Sequence, residues 1–211
     1  MYRLTESHYI YPTPGGAYYA TLSPKIEPAR MILQRILGGT ETPLLNLELL
    51  QSWSGLEGEE ALELIHRMQA RGFVQGLEQP QRAPAGRMEE LLPSFLRELS
   101  DDGKVVLAES QGLYVGSSGY PHETAVELSA LSSELVDLQE RHAGLVDSNL
   151  GLAGGAWALV NAAGNSEIGF WPLFYGGERF TLIAGGMPQF NCNAFTSLVW
   201  VLGQRYGRNN E

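Results

Sequence analysis

Two apolar segments, residues 104–110 and 113–117, flank the dipeptide Gln111-Gly112 and predict a β-hairpin. Helical and strand patterns surround this hairpin in a definite order, and together they predict an α+β domain. The predicted elements are a helix near residues 88–99, the hairpin, a long helix over 122–142, strands at 157–162, 168–174 and 179–184, and a helix over 193–206.

The first of these helices contains a proline. Apolar side chains recur from Met88 to Leu99 at helical spacing, but Pro93 lies between them. Proline removes a backbone donor and disrupts a helix interior. The helix is therefore expected to begin either at Met88 or nearer to Pro93.

Residues 78–86 form a short polar stretch rich in proline and alanine, with strongly periodic sequence on both sides. Such composition is typical of a linker between domains. We therefore expect an amino-terminal domain over residues 1–80 and a second domain over residues 87–211.

The amino-terminal part combines an arm with three helical patterns. Residues 1–24 favour an extended arm or short strands, and helices are predicted from Pro28 to Gly38, around residues 45–53, and over 57–71. A strand at "RGFV" follows the third helix. This arrangement over residues 26–80 resembles a winged-helix domain.

In DNA-binding winged-helix proteins the third helix enters the major groove. Here that helix is acidic, and phosphate repulsion argues against such a role. A protein-interaction or structural role is the preferred interpretation, and a DNA-binding transcriptional regulator is the alternative. The charged residues of this helix are Glu57, Glu59, Glu60, Glu63, Arg67 and Arg71.

The segment KVVLAESQGLYVGSSGYPHETAVELSALSSELV, residues 104–136, carries a second resemblance. An apolar strand ends at Glu109, the pair Gly112-Leu113 opens the next strand, and the small residues Ser117-Ser118 precede a helix rich in alanine, leucine and serine. This sequence and the order of elements over residues 87–208 resemble the roadblock family, of dynein light-chain and gliding-motility regulator type.

The roadblock resemblance implies a five-stranded antiparallel sheet with one helix on one face and two on the other. It also implies a homodimer, formed by pairing edge strands and packing the long helices, and a protein partner such as a small Ras-like GTPase, a motor subunit or a scaffold. The residues expected at the dimer or partner interface are Leu131, Leu135, Leu138, Trp157 and Leu159.

The sequence offers little for catalysis. Gly103-Lys104 is followed by Val105, whereas a phosphate-binding loop requires serine or threonine there and an earlier glycine at defined spacing. The segment from Gly116 to Gly119 does not have the spacing of a nucleophile elbow. We therefore predict a non-enzyme with no catalytic, cofactor-binding or metal-binding residues.

The overall composition bounds the partners and the compartment. The formal net charge is −10, which opposes binding to nucleic acid and to anionic membranes. No apolar run has the length of a membrane span, and Cys192 is the single cysteine, so no internal disulfide can form. These features favour a cytoplasmic protein.

Overall fold

The structure is a computed structural model that describes residues 3–4, 8–152 and 155–207, apart from the side chain of Asp147. Its elements, in chain order, are β1 Tyr9–Pro12, α1 Pro14–Thr21, α2 Pro28–Gly38, α3 Leu47–Ser54, α4 Gly58–Ala70, β2 Val74–Leu77, α5 Met88–Arg97, β3 Val105–Glu109, β4 Tyr114–Ser118, α6 His122–Arg141, β5 Trp157–Val160, β6 Ser166–Tyr175, β7 Glu178–Gly185 and α7 Asn193–Tyr206. One π-helical turn, Gly144–Asn149, follows α6.

The chain forms two compact units. Of the described residues, the first unit contains those up to 88 together with 175–177 and 191–207, and the second unit contains those within 89–174 and 178–190. This division places α7 with the amino-terminal helices, whereas the sequence prediction grouped it with residues 87–211. The predicted domain limits and linker stay a prediction.

Helix α1 in the first unit was not predicted, because residues 1–24 were expected to be extended. Thr13 caps the helix by accepting a hydrogen bond from the Gly16 amide at 3.1 Å, and Pro14 occupies the first turn. The sequence does not indicate this helix because it contains two adjacent glycines, and glycine is a poor helix former. Gly16 is needed for packing, because a Cβ there would lie 1.9 Å from the carbonyl oxygen of Phe73.

The three helices predicted after α1 are present as α2, α3 and α4. Asn46 caps α3 by accepting from the amide of Leu49 at 2.8 Å, and Gly55 ends that helix in the left-handed conformation. Strand β2 pairs antiparallel with β1 at the amino-terminal end of the chain. The winged-helix interpretation of this unit stays a prediction.

The stretch expected to be a linker is hydrogen-bonded within the first unit. The Thr42 amide donates to the carbonyl of Gln81 at 2.8 Å, and the Ala83 amide donates to the carbonyl of Thr40 at 2.9 Å. Its backbone is therefore held against the segment between α2 and α3.

Helix α7 crosses α2 closely in the first unit. A Cβ at Gly203 would lie 2.2 Å from the carbonyl oxygen of Leu37, so only glycine fits at the crossing. The Trp200 indole donates to the carbonyl of Gly39 at 2.7 Å, and the Gln204 amide donates to the same oxygen at 2.5 Å. These bonds satisfy a carbonyl at the carboxyl end of α2.

The second unit contains the antiparallel sheet that the sequence analysis predicts. Its five strands form an antiparallel sheet in the order β4-β3-β7-β6-β5. Strand β3 lies inside the sheet, and Val105 to Ala108 are fully buried, which agrees with its continuous apolar sequence. The predicted α+β class and the five-stranded sheet are confirmed.

Helices α5 and α6 cover opposite faces of this sheet. On the α6 face, Val106, Ala108 and Phe170 pack with residues of the helix. On the other face, Leu92 of α5 packs directly over Gly116, where a Cβ would approach its side chain to 2.8 Å. Gly116 pairs with Leu107 and shares its face of the sheet, and a bulge after Leu107 then shifts the register so that Ala108 pairs with Tyr114.

Helix α5 begins at Met88 and continues through Pro93. Of the two starts predicted from the sequence, the earlier one is observed. Pro93 cannot donate a hydrogen bond to the carbonyl of Glu89, and it lies on the exposed side of the helix, away from the buried Leu92 and Leu96.

Candidate interaction surface

Strand β5 is an exposed, apolar edge of the sheet in the second unit. It pairs with β6 at its inner side and ends the strand order at its outer side. All four of its residues are exposed, and the exposed fractions of Leu159 and Val160 are 66% and 58%. An edge of this kind presents unpaired backbone groups together with apolar side chains, which favours pairing with another strand.

Helix α6 packs on strands β3, β4 and β7 of the same sheet, and it approaches them through small residues. Ala125, Ser129 and Ser132 form its buried side. The hydroxyl of Ser129 donates to the carbonyl of Ala125 at 2.7 Å, and that of Ser132 donates to the carbonyl of Ser129 at 2.7 Å. These internal bonds satisfy the buried hydroxyls, so the small side chains allow close packing without unpaired polar groups.

The leucines predicted on α6 divide between core and surface. Leu135, together with Leu128, packs against the buried cluster around Val106, so it helps to hold the helix on the sheet. Leu131 is 42% exposed, and Leu138 is half-buried. Leu131 is therefore the member of the predicted set on this helix that is most available to a partner.

Trp157 connects the edge strand to the helix. Its indole nitrogen donates to the side-chain oxygen of Gln139 at 3.3 Å, while 37% of the residue stays exposed. The structure thus brings Trp157 of β5 beside the carboxyl-terminal half of α6, as an anchored aromatic side chain at the rim of the surface. We call β5 with Trp157, Leu131 and Leu138 the edge surface.

Arg179 supports the same corner, and sequence analysis missed it. Its guanidinium pairs with Glu140 at 3.1 Å and lies 5.5 Å from the ring centroid of Phe174. Burial lowers the pKa of Arg179, while Glu140 and Asp137 oppose that shift. Because Arg179 and Glu140 are 39 positions apart, only the β7–α6 packing brings them together, and no local pattern signals the pair.

The solvent side of α6 is acidic. Five exposed carboxylates lie along it, and within the described part of the chain Glu140 alone of these forms an ion pair. This face would complement a basic patch on another protein. The five are Glu123, Glu127, Glu134, Asp137 and Glu140.

The serine, histidine and cysteine side chains named as possible catalysts lie at the ends of secondary-structure elements. Ser117 and Ser118 end β4, as the sequence indicates for a strand end. His122 accepts or donates a hydrogen bond with the hydroxyl of Tyr114 at 2.7 Å, and Cys192 is the residue before α7. Among the described residues, no group of three or more histidine, cysteine or carboxylate side chains is placed to hold a metal ion.

A helix that spans a membrane must be both long and predominantly apolar. Across the residues that the structure describes, every helix is either too short or too polar to cross a bilayer.

The following two proteins are among the solved structures that match this chain. A roadblock/LC7 domain from Streptomyces avermitilis is 17% identical, covers 57% of this chain and 96% of its own length, and has a TM-score of 0.38. MglB of Myxococcus xanthus is 11% identical, covers 59% of this chain and 90% of its own length, and has a TM-score of 0.39. No protein-family model and no curated protein matches the sequence.

Proposed function

We propose that this chain is a non-catalytic regulatory or scaffold protein that forms a homodimer through the edge surface and binds a protein partner, such as a small Ras-like GTPase. The observation that carries the proposal is the exposed apolar strand β5 at the end of the sheet. The roadblock resemblance of the sequence supports the same function.

Pairing β5 with its copy in a second chain would satisfy the open backbone groups of the strand. A two-fold arrangement is the commonest way for identical chains to pair, and it would bring Leu159 and Val160 of both copies together. Trp157 belongs to the same strand, and Leu131 of α6 would be covered if the long helices of the two copies also pack together, as the roadblock resemblance implies. Removing these apolar side chains from water is the driving force of such a contact.

A protein partner would then bind to a surface that dimerisation leaves free. The carboxylates of α6 favour a partner with a basic patch, because complementary charge steers encounter and excludes wrong partners. The chain would act on a GTPase by surface complementarity and would supply no covalent chemistry.

The oligomeric state of the full chain tests the homodimer. Light scattering coupled to size-exclusion chromatography should give a dimer for the wild type. Leu159→Asp and Leu131→Glu should give a folded monomer, since a buried charge at a symmetric contact is costly on both sides. The control is Val126→Glu, an exposed position 44% accessible on another side of α6, which should stay dimeric.

A wild-type monomer at micromolar concentration would refute the dimer. A dimer that persists in both Leu159→Asp and Leu131→Glu, while circular dichroism shows an unchanged fold, would instead refute the edge surface as the dimer interface. Leu135→Glu is unsuitable for this purpose, because Leu135 packs against the core and its loss would unfold the unit.

Partner binding requires a separate measurement. Purified small Ras-like GTPases, loaded with GDP or a GTP analogue, would be titrated into the chain by calorimetry. We expect affinity for one nucleotide state to exceed that for the other. If no GTPase gives a binding heat in either nucleotide state, small Ras-like GTPases are excluded as partners. The proposed homodimer would not be affected by that result.

The alternative function, a DNA-binding regulator, is tested by measuring the affinity of the chain for duplex DNA at several salt concentrations. Helix α4 carries Glu59 and Glu60 in its first turn, and Glu63 lies 3.9 Å from Arg67. A chain of this charge should show no affinity for duplex DNA. Binding to arbitrary duplex that weakens steeply with added salt would favour the alternative instead.

A further inference from the structure

A cavity of about 390 Å³ opens in the first unit between the amino end of α2, helix α4 and the aromatic residues Tyr19 and Phe73. Its volume lies within the roughly 300–1,000 Å³ of small-molecule sites in proteins. All of its lining residues belong to the described part of the first unit. The cavity is distinct from the edge surface, which belongs to the second unit.

The wall of the cavity is aromatic and apolar. The rings of Tyr19 and Phe73 stack with centroids 4.7 Å apart and an angle of 20° between their planes. The guanidinium carbon of Arg30 lies 4.9 Å from the centroid of the Tyr19 ring. Met68 and Leu64 of α4, both buried, complete the apolar lining. Stacking holds these rings in place, so the wall is formed before any ligand arrives.

The single carboxylate among the lining residues is already engaged. Glu27 accepts a hydrogen bond from the hydroxyl of Tyr19 at 2.5 Å and lies 3.6 Å from Arg30, a buried cation. The hydrogen bond from Tyr19 and the charge of Arg30 lower the pKa of Glu27. Its charge is therefore compensated within the wall.

The positive charges of two other lining residues, Arg67 and Arg71, are not neutralised by a close carboxylate in this way. Arg67 has Glu63 at 3.9 Å, and both side chains are more than half exposed, so that ion pair is weak. Arg71 forms no ion pair with any described residue. A chain with a net charge of −10 thus has an aromatic-walled cavity with an excess of positive charge.

Arginine can bind a carboxylate through two parallel hydrogen bonds, and a flat apolar body suits an aromatic wall. We propose that this cavity is a binding site for a small aromatic carboxylate, with Arg71 and Arg67 holding the carboxylate and Phe73 contacting the ring. The site is independent of the proposed dimer and of its partner.

The test uses the full chain, labelled with ¹⁵N, and four probes. Benzoate and indole-3-acetate carry the required charge, and benzamide and indole-3-acetamide are their neutral counterparts. We expect saturable shifts for the two acids at backbone amides of Arg71, Phe73 and Ala29. The neutral amides should bind about tenfold more weakly or worse, because they lose the charge-assisted bonds.

Substitutions in the cavity decide where the acids bind. Arg71→Gln and Arg67→Gln should each weaken benzoate binding about tenfold, and Arg71→Lys should fall between Arg71→Gln and the wild type. The matched control is Arg82→Gln, an exposed arginine of the same unit that does not line the cavity. It should leave the affinity unchanged.

Three results would overturn the proposal. The first is that neither acid produces a saturable shift. The second is equal affinity for an acid and its neutral amide, which would remove the role of the arginines. The third is equal affinity in Arg71→Gln, Arg67→Gln and Arg82→Gln while the spectra show a native fold, which would place any bound acid elsewhere.

Discussion

Gly15 and Gly16 are neighbours in α1, yet their surroundings differ. A Cβ at Gly16 would lie 1.9 Å from the carbonyl oxygen of Phe73, a backbone atom that cannot turn aside. A Cβ at Gly15 would meet its nearest atom, the Thr13 hydroxyl, at 3.7 Å, which is ordinary van der Waals contact. The same substitution should therefore have opposite effects at the two positions.

Gly16→Ala should lower the free energy of unfolding by about 1–3 kcal/mol, because the inserted methyl group forces the backbone apart. Gly15→Ala is the control and should raise it by roughly 0.5–1 kcal/mol, since alanine favours the helix and restricts the unfolded chain. Urea denaturation of the full chain measures both. Equal effects in the two variants would contradict the close contact between α1 and Phe73.

Tyr175 is another residue whose surroundings set a measurable property. The ring is buried, and its hydroxyl donates to the carbonyl of Gln34. Burial raises the pKa of Tyr175 well above its ordinary value. The folded chain therefore keeps the phenolic proton at pH values where the unfolded chain has begun to release it, so stability must fall as the pH rises.

Tyr175→Phe should cost about 1–3 kcal/mol at neutral pH, because the carbonyl of Gln34 loses its donor. The contribution of the phenol is complete below the unfolded pKa of about 10 and is lost as the pH rises towards the folded pKa. The stability gap between wild type and variant should thus narrow above about pH 10. Thermal unfolding from pH 8 to 11 checks this, and a constant gap would argue against a buried phenol.

At the scale of elements, the sequence predicts what depends on local periodicity and misses what depends on contacts. The hairpin at Gly112, the long helix α6 and the last helix α7 were all predicted, because apolar spacing and turn residues are local signals. Helix α1 was missed because its glycines serve a tertiary contact with Phe73.

The interaction surface was predictable only in part. The spacing of the leucines on α6 indicates that they lie along one side of the helix. It does not indicate that Leu135 packs against the sheet while Leu131 is exposed. That distinction depends on where the small residues allow the helix to pack. The ligand cavity was not predictable, because Tyr19 and Phe73 meet only when α1 folds back near the end of α4.

Helix α5 gives a prediction at this scale, since Pro93 interrupts its hydrogen bonding on the solvent side. Pro93→Ala should raise the free energy of unfolding by about 1–2 kcal/mol, as the restored bond to Glu89 outweighs the greater freedom of the unfolded chain. Ser94→Ala, at the next exposed position, should change stability by about 0.5 kcal/mol or less. Urea denaturation compares them, and destabilisation by Pro93→Ala would show that the kink itself is required.

At the scale of the whole molecule, the two compact units are not two successive stretches of chain. The first unit is completed by α7, which packs on α1 and α2 and has nine of its fourteen residues buried. Any cut between residues 80 and 87 therefore separates α7 from its partners in the first unit.

A fragment starting at residue 87 should consequently be far less stable than the full chain. It would expose the apolar side chains of α7 and leave the Trp200 indole without the Gly39 carbonyl. We expect binding of a hydrophobic dye, loss of near-ultraviolet circular dichroism and concentration-dependent aggregation. A fragment that unfolds as cooperatively as the full chain would refute the dependence on α7.

The position of α7 also has a consequence for biosynthesis. Helices α1 to α4 leave the ribosome before the second unit is made, but α7, which packs on α1 and α2, is encoded more than a hundred codons after α4. At about 5–20 residues per second, the nascent first unit waits roughly 6–23 s with an open apolar groove. During that interval it is a natural client for chaperones, and a ribosome that stalls within the second unit would leave it open to proteases.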